Sequence, residues 1–352
     1  MTALAVAIRG RSWRGALPGL AVVAAIAGLA TAFGRFAPLV GGPIFGILLG
    51  ACAGAALRAA TPDRIGLLQP GIATASKQLL QLSIVVLGTG LSLRQVAHTG
   101  VSSLPVMLAT LVVALGGARI AGRVLGVHSD AQTLIGVGTG ICGASAIAAT
   151  TAVIRAAEAD VAYAVATIFT FNIAAVLLFP ALGHALGLSQ HAFGLWSGTA
   201  INDTSSVVAA STIYGDAARS YGVVVKLTRS LMIIPICLAL GALTARRAAR
   251  SGMPGTAAGS ARLPWRRMVP AFLIGFLVAS ALDTVGVIPA GWHPALTDTS
   301  VFLITMALTG IGLSTRPRAL RAAGPRPLLL GGILWVSVGI TSLLLQLATG
   351  NI

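Results

Sequence analysis

Long apolar stretches, each of about 20 residues, follow one another along almost the whole chain. Of the 352 residues, 56% are hydrophobic and only 9% are charged, whereas a typical soluble domain carries about a quarter charged residues. So few charged side chains cannot cover the surface of a soluble protein of this length. Because about 20 apolar residues span a bilayer core as a helix, the pattern predicts an integral membrane protein.

The apolar runs predict an all-α, polytopic fold with about 11 transmembrane helices. The predicted spans are 16–34, 39–59, 73–93, 103–123, 131–154, 161–183, 192–213, 218–244, 268–286, 298–315 and 327–349. Glycine and proline are frequent within these spans, and membrane helices tolerate both residues. The lipid bilayer is therefore the first partner that the sequence predicts.

The formal net charge of +16 could indicate nucleic-acid binding or an asymmetry between loops. The basic residues are scattered between apolar runs and form no polar module, so nucleic acid is not expected as a partner. With a cytoplasmic N-terminus, seventeen of the 24 Lys and Arg residues fall in cytoplasmic segments, and only Arg35, Arg94, Arg155 and Arg219 fall outside. This bias predicts a multi-pass protein of the bacterial inner (plasma) membrane with its C-terminus outside.

One long hydrophilic segment, 246–267, interrupts the apolar pattern and is rich in Arg, Gly, Ala and Ser. It predicts a cytoplasmic linker between N-terminal transmembrane helices in 1–245 and C-terminal transmembrane helices in 268–352. Cys52, Cys142 and Cys237 lie singly in apolar segments, without the spacing of metal ligands. Neither a metal nor a cofactor is predicted.

Two segments read G-x-G-L-S-x-R, at 88–94 and at 310–316. They end the third and the tenth predicted spans, which cross the membrane in opposite directions. Such a relation predicts a repeat with inverted topology, a common feature of secondary transporters. The alternative is chance similarity between helices rich in Gly and Leu.

A second pair of segments reads G-T-x-I-x-x-x-S, at 138–145 in the fifth span and at 198–205 in the seventh. If both spans cross fully, they run in the same direction and are not an inverted pair. Two interpretations follow: either the segments are parallel elements of one site, or one of them is re-entrant and the span count changes.

The first of these segments is too rich in glycine for an uninterrupted helix. Gly136, Gly138, Gly140 and Gly143 fall within eight residues, and each costs about 1 kcal/mol relative to alanine inside a helix. The sequence predicts a helix that breaks near Gly140–Gly143 and restarts at Ala144, and a second break near Ala200–Thr204. A restarted helix presents free N–H groups that suit an anion. Close helix packing is the alternative use of these glycines.

Several polar residues are predicted near the middle of the membrane. At 1.5 Å per residue, Gly143 lies about 18 Å into its span, Asp203 and Arg229 about 16 Å, and Lys226 about 12 Å. Intramembrane ionisable residues are usually functional. The predicted site binds an anion through basic charge while Asp203 exchanges a proton. The alternative is a structural ion pair between Asp203 and Arg229.

The motifs GTGICGASAIAATTAVI (138–154), EADVAYAVAT (158–167), GLWSGTAINDTSSVVAAS (194–211) and VVKLTRSLMIIP (224–235) carry a family resemblance. Together, over about 40–350, they resemble the proposed sulfate exporter family of uncharacterised bacterial inner-membrane proteins. More distantly, the broken-helix pattern is similar to bile acid:sodium symporters and cation:proton antiporters. The resemblance implies an elevator-like fold with a panel domain and a core domain.

The resemblance also implies a set of substrate-binding residues. They are Gly140, Cys142, Gly143, Ser145, Asn202, Asp203, Thr204, Lys226 and Arg229. The implied substrate is a small anion, sulfate or a related sulfur oxyanion, although the family's name is itself a hypothesis about the substrate.

The sequence therefore predicts a secondary transporter of a small inorganic or organic anion, coupled to protons or sodium. No P-loop is present to hydrolyse ATP. A passive anion channel and a sodium-coupled organic anion symporter are the alternatives. An intramembrane serine protease built on Ser145 lacks a histidine at the predicted depth, so no enzyme is expected. Assembly as a homodimer is left open.

Overall fold

The structure, a computed structural model, describes residues 13–36, 41–60, 62–250, 271–314 and 325–350. The described residues are helices joined by short turns, which confirms the all-α, polytopic class. The helices are α1 (Trp13–Phe36), α2 (Gly41–Ala60), α3 (Pro62–Thr74), α4 (Leu80–Gly88), α5 (Leu93–Val124), α6 (Ser129–Gly140), α7 (Ala144–Ile154), α8 (Glu158–Ala185), α9 (Gln190–Ala200), α10 (Thr204–Tyr214), α11 (Asp216–Ser230), α12 (Ile233–Arg250), α13 (Ala271–Thr284), α14 (His293–Ser314) and α15 (Pro325–Ala348). A π-helical turn, Ala75–Leu79, joins α3 to α4, and a 3-10 turn, Ala290–Trp292, precedes α14.

Eight helical segments among the described residues are long and apolar enough to cross a membrane. They are α1, α2, α3 with α4, α5, α8, α11 with α12, α14 and α15. Helix α13 is apolar but has only 14 described residues. Two pairs of shorter helices, α6–α7 and α9–α10, are the predicted broken helices. Each helix of a pair, here called an arm, has 11 or 12 residues and is about 16–18 Å long. Each arm reaches only about half-way through a roughly 30 Å hydrocarbon core.

The helices form two compact units. The first contains α1 to α4, α13 and α14, and the second contains most of α5, then α6 to α12, and α15. Each unit thus combines helices from before and after the hydrophilic segment 246–267, so the predicted sequential division does not follow the spatial grouping. Residues 251–267 of that segment lie outside the described residues.

In the first unit, α14 packs antiparallel to α3 and α4. The Ser300 hydroxyl donates to the Ser83 carbonyl at 3.0 Å, and Gly310, ten residues further on, lies against Ser76 and Ile72. This direction is the one that the inverted G-x-G-L-S-x-R segments require. Arg316, at the end of the second segment, lies outside the described residues.

In the second unit, α9 and α10 form an antiparallel hairpin, here called hairpin B (190–214). The Tyr214 hydroxyl at its end donates to the Leu188 carbonyl just before its start, at 2.5 Å. Half-way along the arms, the hydroxyls of Ser197 and Ser211 lie 2.8 Å apart. The chain therefore leaves hairpin B on the side where it entered, and only the tip, 201–203, lies deep.

Helices α6 and α7 form a second hairpin, hairpin A (129–154), with its tip at 141–143. A Cβ atom on Gly138 in the first arm would lie 3.0 Å from Ile147 Cδ1 in the second arm. At the open end, Ser129 and Ile154 line the same cavity of about 240 Å³. Hairpin A also returns to its starting side.

The two hairpins open toward opposite ends of α8, whose 28 residues span about 42 Å. At the start of α8, Asp160 pairs with His128 beside hairpin A at 2.8 Å. At its end, His184 stacks on Tyr214 of hairpin B, with ring centroids 4.3 Å apart. Both tips meet the middle of α8, where Asn172 accepts from the Asp203 backbone N–H at 3.3 Å.

The predicted helix breaks near Gly140–Gly143 and Ala200–Thr204 are therefore confirmed, and they lie close together. Both G-T-x-I-x-x-x-S segments form hairpin tips, and the hairpins are opposed, so this pair has the inverted relation that full spans would not allow. Arg155 consequently lies at the open end of hairpin A, on the side of His128, and not across the membrane from it. His184 and His191 lie at the open end of hairpin B.

Cysteine labelling tests the re-entrant geometry. In a variant whose three native cysteines are replaced by alanine, Val124→Cys and Ala157→Cys should react with a membrane-impermeant maleimide from the same side of the membrane. Leu186→Cys should react from the other side, because α8 crosses between them. Labelling of Val124→Cys and Ala157→Cys from opposite sides would mean that 129–154 crosses the membrane fully.

Candidate functional site

The site lies where the two hairpin tips meet, and glycine makes the first tip possible. Gly143 has φ +67°, a conformation that disfavours residues with a Cβ. It turns the chain between the end of α6 and Ala144, where α7 begins as predicted. A Cβ on Gly143 would lie 3.5 Å from the Asp203 Cβ. Gly143 therefore allows both the turn between α6 and α7 and the close approach of the second tip.

Lys226 of α11 joins the two tips. Its Nζ donates to the Ile141 carbonyl at 2.7 Å and to the Ile201 carbonyl at 2.8 Å. The side chain is fully buried. These carbonyls follow the last residues of α6 and α9, where helix geometry leaves backbone acceptors without intrahelical partners.

Arg229, one turn further along α11, makes a second set of bonds across the tips. Its Nε donates to the Gly140 carbonyl at 2.6 Å and its Nη2 to the Thr139 carbonyl at 3.0 Å. Its Nη1 donates to the Thr199 carbonyl of hairpin B. The planar guanidinium suits three acceptors from two helix ends better than a single ammonium would.

These bonds fix what the two cations do in this structure: they neutralise the C-terminal ends of α6 and α9. A helix C-terminus carries about half a negative charge, and unpaired carbonyls are costly at membrane depth. No ion pair joins Asp203 to Arg229 in the described part of the chain. The structural ion pair that the sequence left open is therefore not formed there.

Asp203 instead caps α10. Its carboxylate accepts from the Ser206 backbone N–H at 3.2 Å and from the Ser205 hydroxyl. A carboxylate at an N-terminus stabilises the helix through these bonds and through the helix dipole. Asp203 and Thr204 are partly exposed, so the capped end of α10 is within reach of solvent or a small ligand.

The start of α7 has no such carboxylate. Gly143, its N-cap residue, has no side chain to accept from the first turn. Ser145 is exposed and Cys142 is partly exposed. Of the two helix starts at the tips, α7 is thus the one without an internal anion.

The structure brings all nine implied site residues to the two tips. Two polar groups accompany them: Asn172, which binds the Asp203 N–H, and the buried Asn202 Oδ1, which has no hydrogen-bond partner among the described residues. Asn202 was among the implied residues, but Asn172 was not. Its signal was available, because it is a single amide in the middle of a long apolar helix.

Comparison with known proteins agrees with this architecture. Residues 18–331 match a family described as "Conserved hypothetical protein 698". A UPF0324 membrane protein of Streptococcus pyogenes is 39% identical over 338 residues, covering 95% of this chain and 97% of the relative. The chain belongs to this family of uncharacterised membrane proteins.

Two other relatives also cover most of the chain. UPF0324 membrane proteins of Streptococcus agalactiae and Fusobacterium nucleatum are 37% and 36% identical, over 343 and 337 residues. They align with 95% and 90% of this chain, and 98% and 93% of the relatives are covered. No solved structure matches. The relatives are named membrane proteins, and together with the eight long apolar segments they support a multi-pass membrane protein.

The bonds of Arg229 predict a large effect from a change that keeps its charge. A lysine ammonium at this position lacks the spread of the guanidinium fork that reaches three carbonyls at once, and each buried acceptor left without a donor costs about 1–3 kcal/mol. We expect Arg229→Lys to lower the melting temperature of the detergent-solubilised protein by several degrees. Arg219→Lys on the same helix is the matched control: Arg219 is also buried, but among the described residues only its Nη2 has a partner, exposed Asp216, which a lysine can also bind, so the melting temperature should change little. Equal shifts for the two variants would contradict the role given to Arg229.

Proposed function

We propose that this protein is a secondary transporter that carries a small anion across the bacterial inner membrane. The observation that carries the proposal is the pair of opposed hairpins whose tips meet half-way along α8. Secondary transporters with inverted repeats bind substrate near the membrane midplane, at discontinuous helices. The two compact units are consistent with the panel and core domains that the family resemblance implies, and the second unit holds the tips.

Charge at the tips favours an anion. Two helix C-termini contribute about −1 and two N-termini about +1. Lys226 and Arg229 add two positive charges and Asp203 adds one negative charge, so the sum is about +1. In this proposal the cations act mainly by cancelling the carbonyl ends, which leaves the start of α7 electropositive. A small oxyanion such as sulfate would accept from N–H groups there.

Asp203 gives the proposal a coupling step. Its carboxylate competes with an external anion, because it supplies a negative charge at the neighbouring helix start. Protonation removes this charge and strengthens anion binding. Substrate and proton would then bind together, and their joint binding would shift the balance between inward-facing and outward-facing states.

The re-entrant hairpins strengthen the charge bias on which the proposed orientation rests. Arg155 lies with hairpin A's open end, so it joins the side that carries most basic residues. The bias becomes eighteen to three, with Arg35, Arg94 and Arg219 opposite, among the same 24 residues. If α13 crosses the membrane as a ninth span beside the eight long segments, this bias places the N-terminus in the cytoplasm and the C-terminus outside.

An enzyme is the weaker proposal. A protease that used Ser145 would need a general base close to its hydroxyl. His128 lies at the open end of hairpin A, and His184 and His191 lie at that of hairpin B, about half the length of α8 from the tips. His98 is exposed near the start of α5, and His293 pairs with Asp283 in the first unit, so no histidine contact to Ser145 is found among the described residues.

Transport by purified protein tests the proposal. In proteoliposomes, radiolabelled sulfate uptake should saturate with concentration and accelerate when a pH gradient is imposed. A passive channel would give uptake that no pH gradient can drive above equilibrium. A sodium-coupled organic anion symporter would ignore sulfate and concentrate an organic anion only with a sodium gradient. Absence of any anion uptake would refute the proposal.

Asp203→Asn sharpens this test. The amide keeps a hydrogen-bond acceptor for the helix cap but cannot ionise, so uptake should lose most of its pH dependence while sulfate binding is retained. Asp216→Asn is the matched control, because Asp216 is exposed at the start of α11. An unchanged pH profile in Asp203→Asn would show that Asp203 does not take part in proton coupling.

A further inference from the structure

Five backbone carbonyls converge between the two hairpin tips. Thr139, Gly140 and Ile141 supply them from hairpin A, and Thr199 and Ile201 supply them from hairpin B. All five accept from only two side chains, Lys226 and Arg229. Both side chains are fully buried, as is Thr199.

A convergence of this kind is chemically a cation site. Carbonyl oxygens at the ends of interrupted helices coordinate coupling ions such as sodium in secondary transporters. The oxygens carry the negative ends of the α6 and α9 dipoles, and they lie too deep for bulk water to satisfy them. An occupant with positive charge is therefore required whenever the tips are together.

We propose that the Lys226 ammonium is the permanent occupant of this cation site, so that the transporter does not use sodium. This inference rests on the proposed function and narrows its coupling ion to the proton. Lys226 Nζ lies between Ile141 of one tip and Ile201 of the other, where a bridging ion would lie. Arg229 satisfies the remaining three carbonyls, so no unpaired carbonyl of the five is left for a free ion.

The groups around Lys226 agree with its role as a cation that belongs to the protein chain and takes the place of a free ion. The charged or titratable groups that act on it are Arg229 on its own helix, Cys142 at tip A and Asp203 at tip B. The Asp203 carboxylate accepts from Ser205 and Ser206, which makes it a helix cap and not a partner of Lys226. The positive charge of Lys226 is thus balanced by the partial negative charge of the carbonyls at the ends of α6 and α9.

Removing the Lys226 side chain should leave backbone carbonyls that a free sodium ion can bind. We expect the melting temperature of the detergent-solubilised wild-type protein to be the same in sodium chloride and in choline chloride. Lys226→Ala should melt several degrees lower in choline, and sodium should restore part of this loss with a saturable concentration dependence. Lys77→Ala, which removes an exposed lysine, is the control and should behave as wild type.

Two results would overturn the inference: saturable stabilisation of the wild-type protein by sodium, or a Lys226→Ala protein that sodium does not stabilise. If Lys226→Ala does not fold, Lys226→Gln is measured, and the wild-type comparison decides by itself whether sodium binds. Because melting requires no transport, these results stand whether or not sulfate uptake is found. Where uptake is found, it should be equal in sodium and in choline.

Discussion

The hydrogen bonds of Lys226 and Arg229 across the two hairpin tips are the interaction on which the site depends. Each hairpin ends a helix inside the protein, and each such end leaves carbonyls that neither water nor lipid can satisfy at this depth. Two side chains of α11 satisfy five of them. These side chains thereby stabilise the helix ends half-way along α8 and help to hold the N-terminal ends of α7 and α10 beside each other.

This arrangement assigns different tasks to the charges. The two cations offset the helix ends that repel an anion, and the uncapped start of α7 is left to attract one. Asp203 occupies the other helix start and supplies a group that can gain or lose a proton. Lys226 and Arg229 were expected to face the substrate directly, yet their polar atoms point to backbone carbonyls. A residue can thus set the sign of a site without touching the ligand.

The helical class and both helix breaks could be predicted from the sequence, because long apolar runs and glycine-rich segments are local signals. The nine candidate site residues came from the family resemblance, and their role in binding stays a prediction. The sequence did not predict that both broken helices are re-entrant. Span length alone cannot separate two 11-residue arms from one 22-residue crossing, since both contain the same apolar run. The decisive contacts, Tyr214 with Leu188 and Asp160 with His128, join residues far apart in sequence. Asn172, a single amide in a long apolar helix, was a signal that the sequence did offer, but only the fold shows that it lies at the tips.

The proposed function requires that a small oxyanion binds at the start of α7, between the tips. Selenate has the shape and charge of sulfate and scatters X-rays anomalously, so crystals grown with selenate would locate the ion directly. We expect one anomalous peak within hydrogen-bonding distance of the Ala144 or Ser145 backbone N–H, close to Asn202. A peak bound instead by Lys226 or Arg229 side chains freed from their carbonyls, or no peak between the tips, would contradict it.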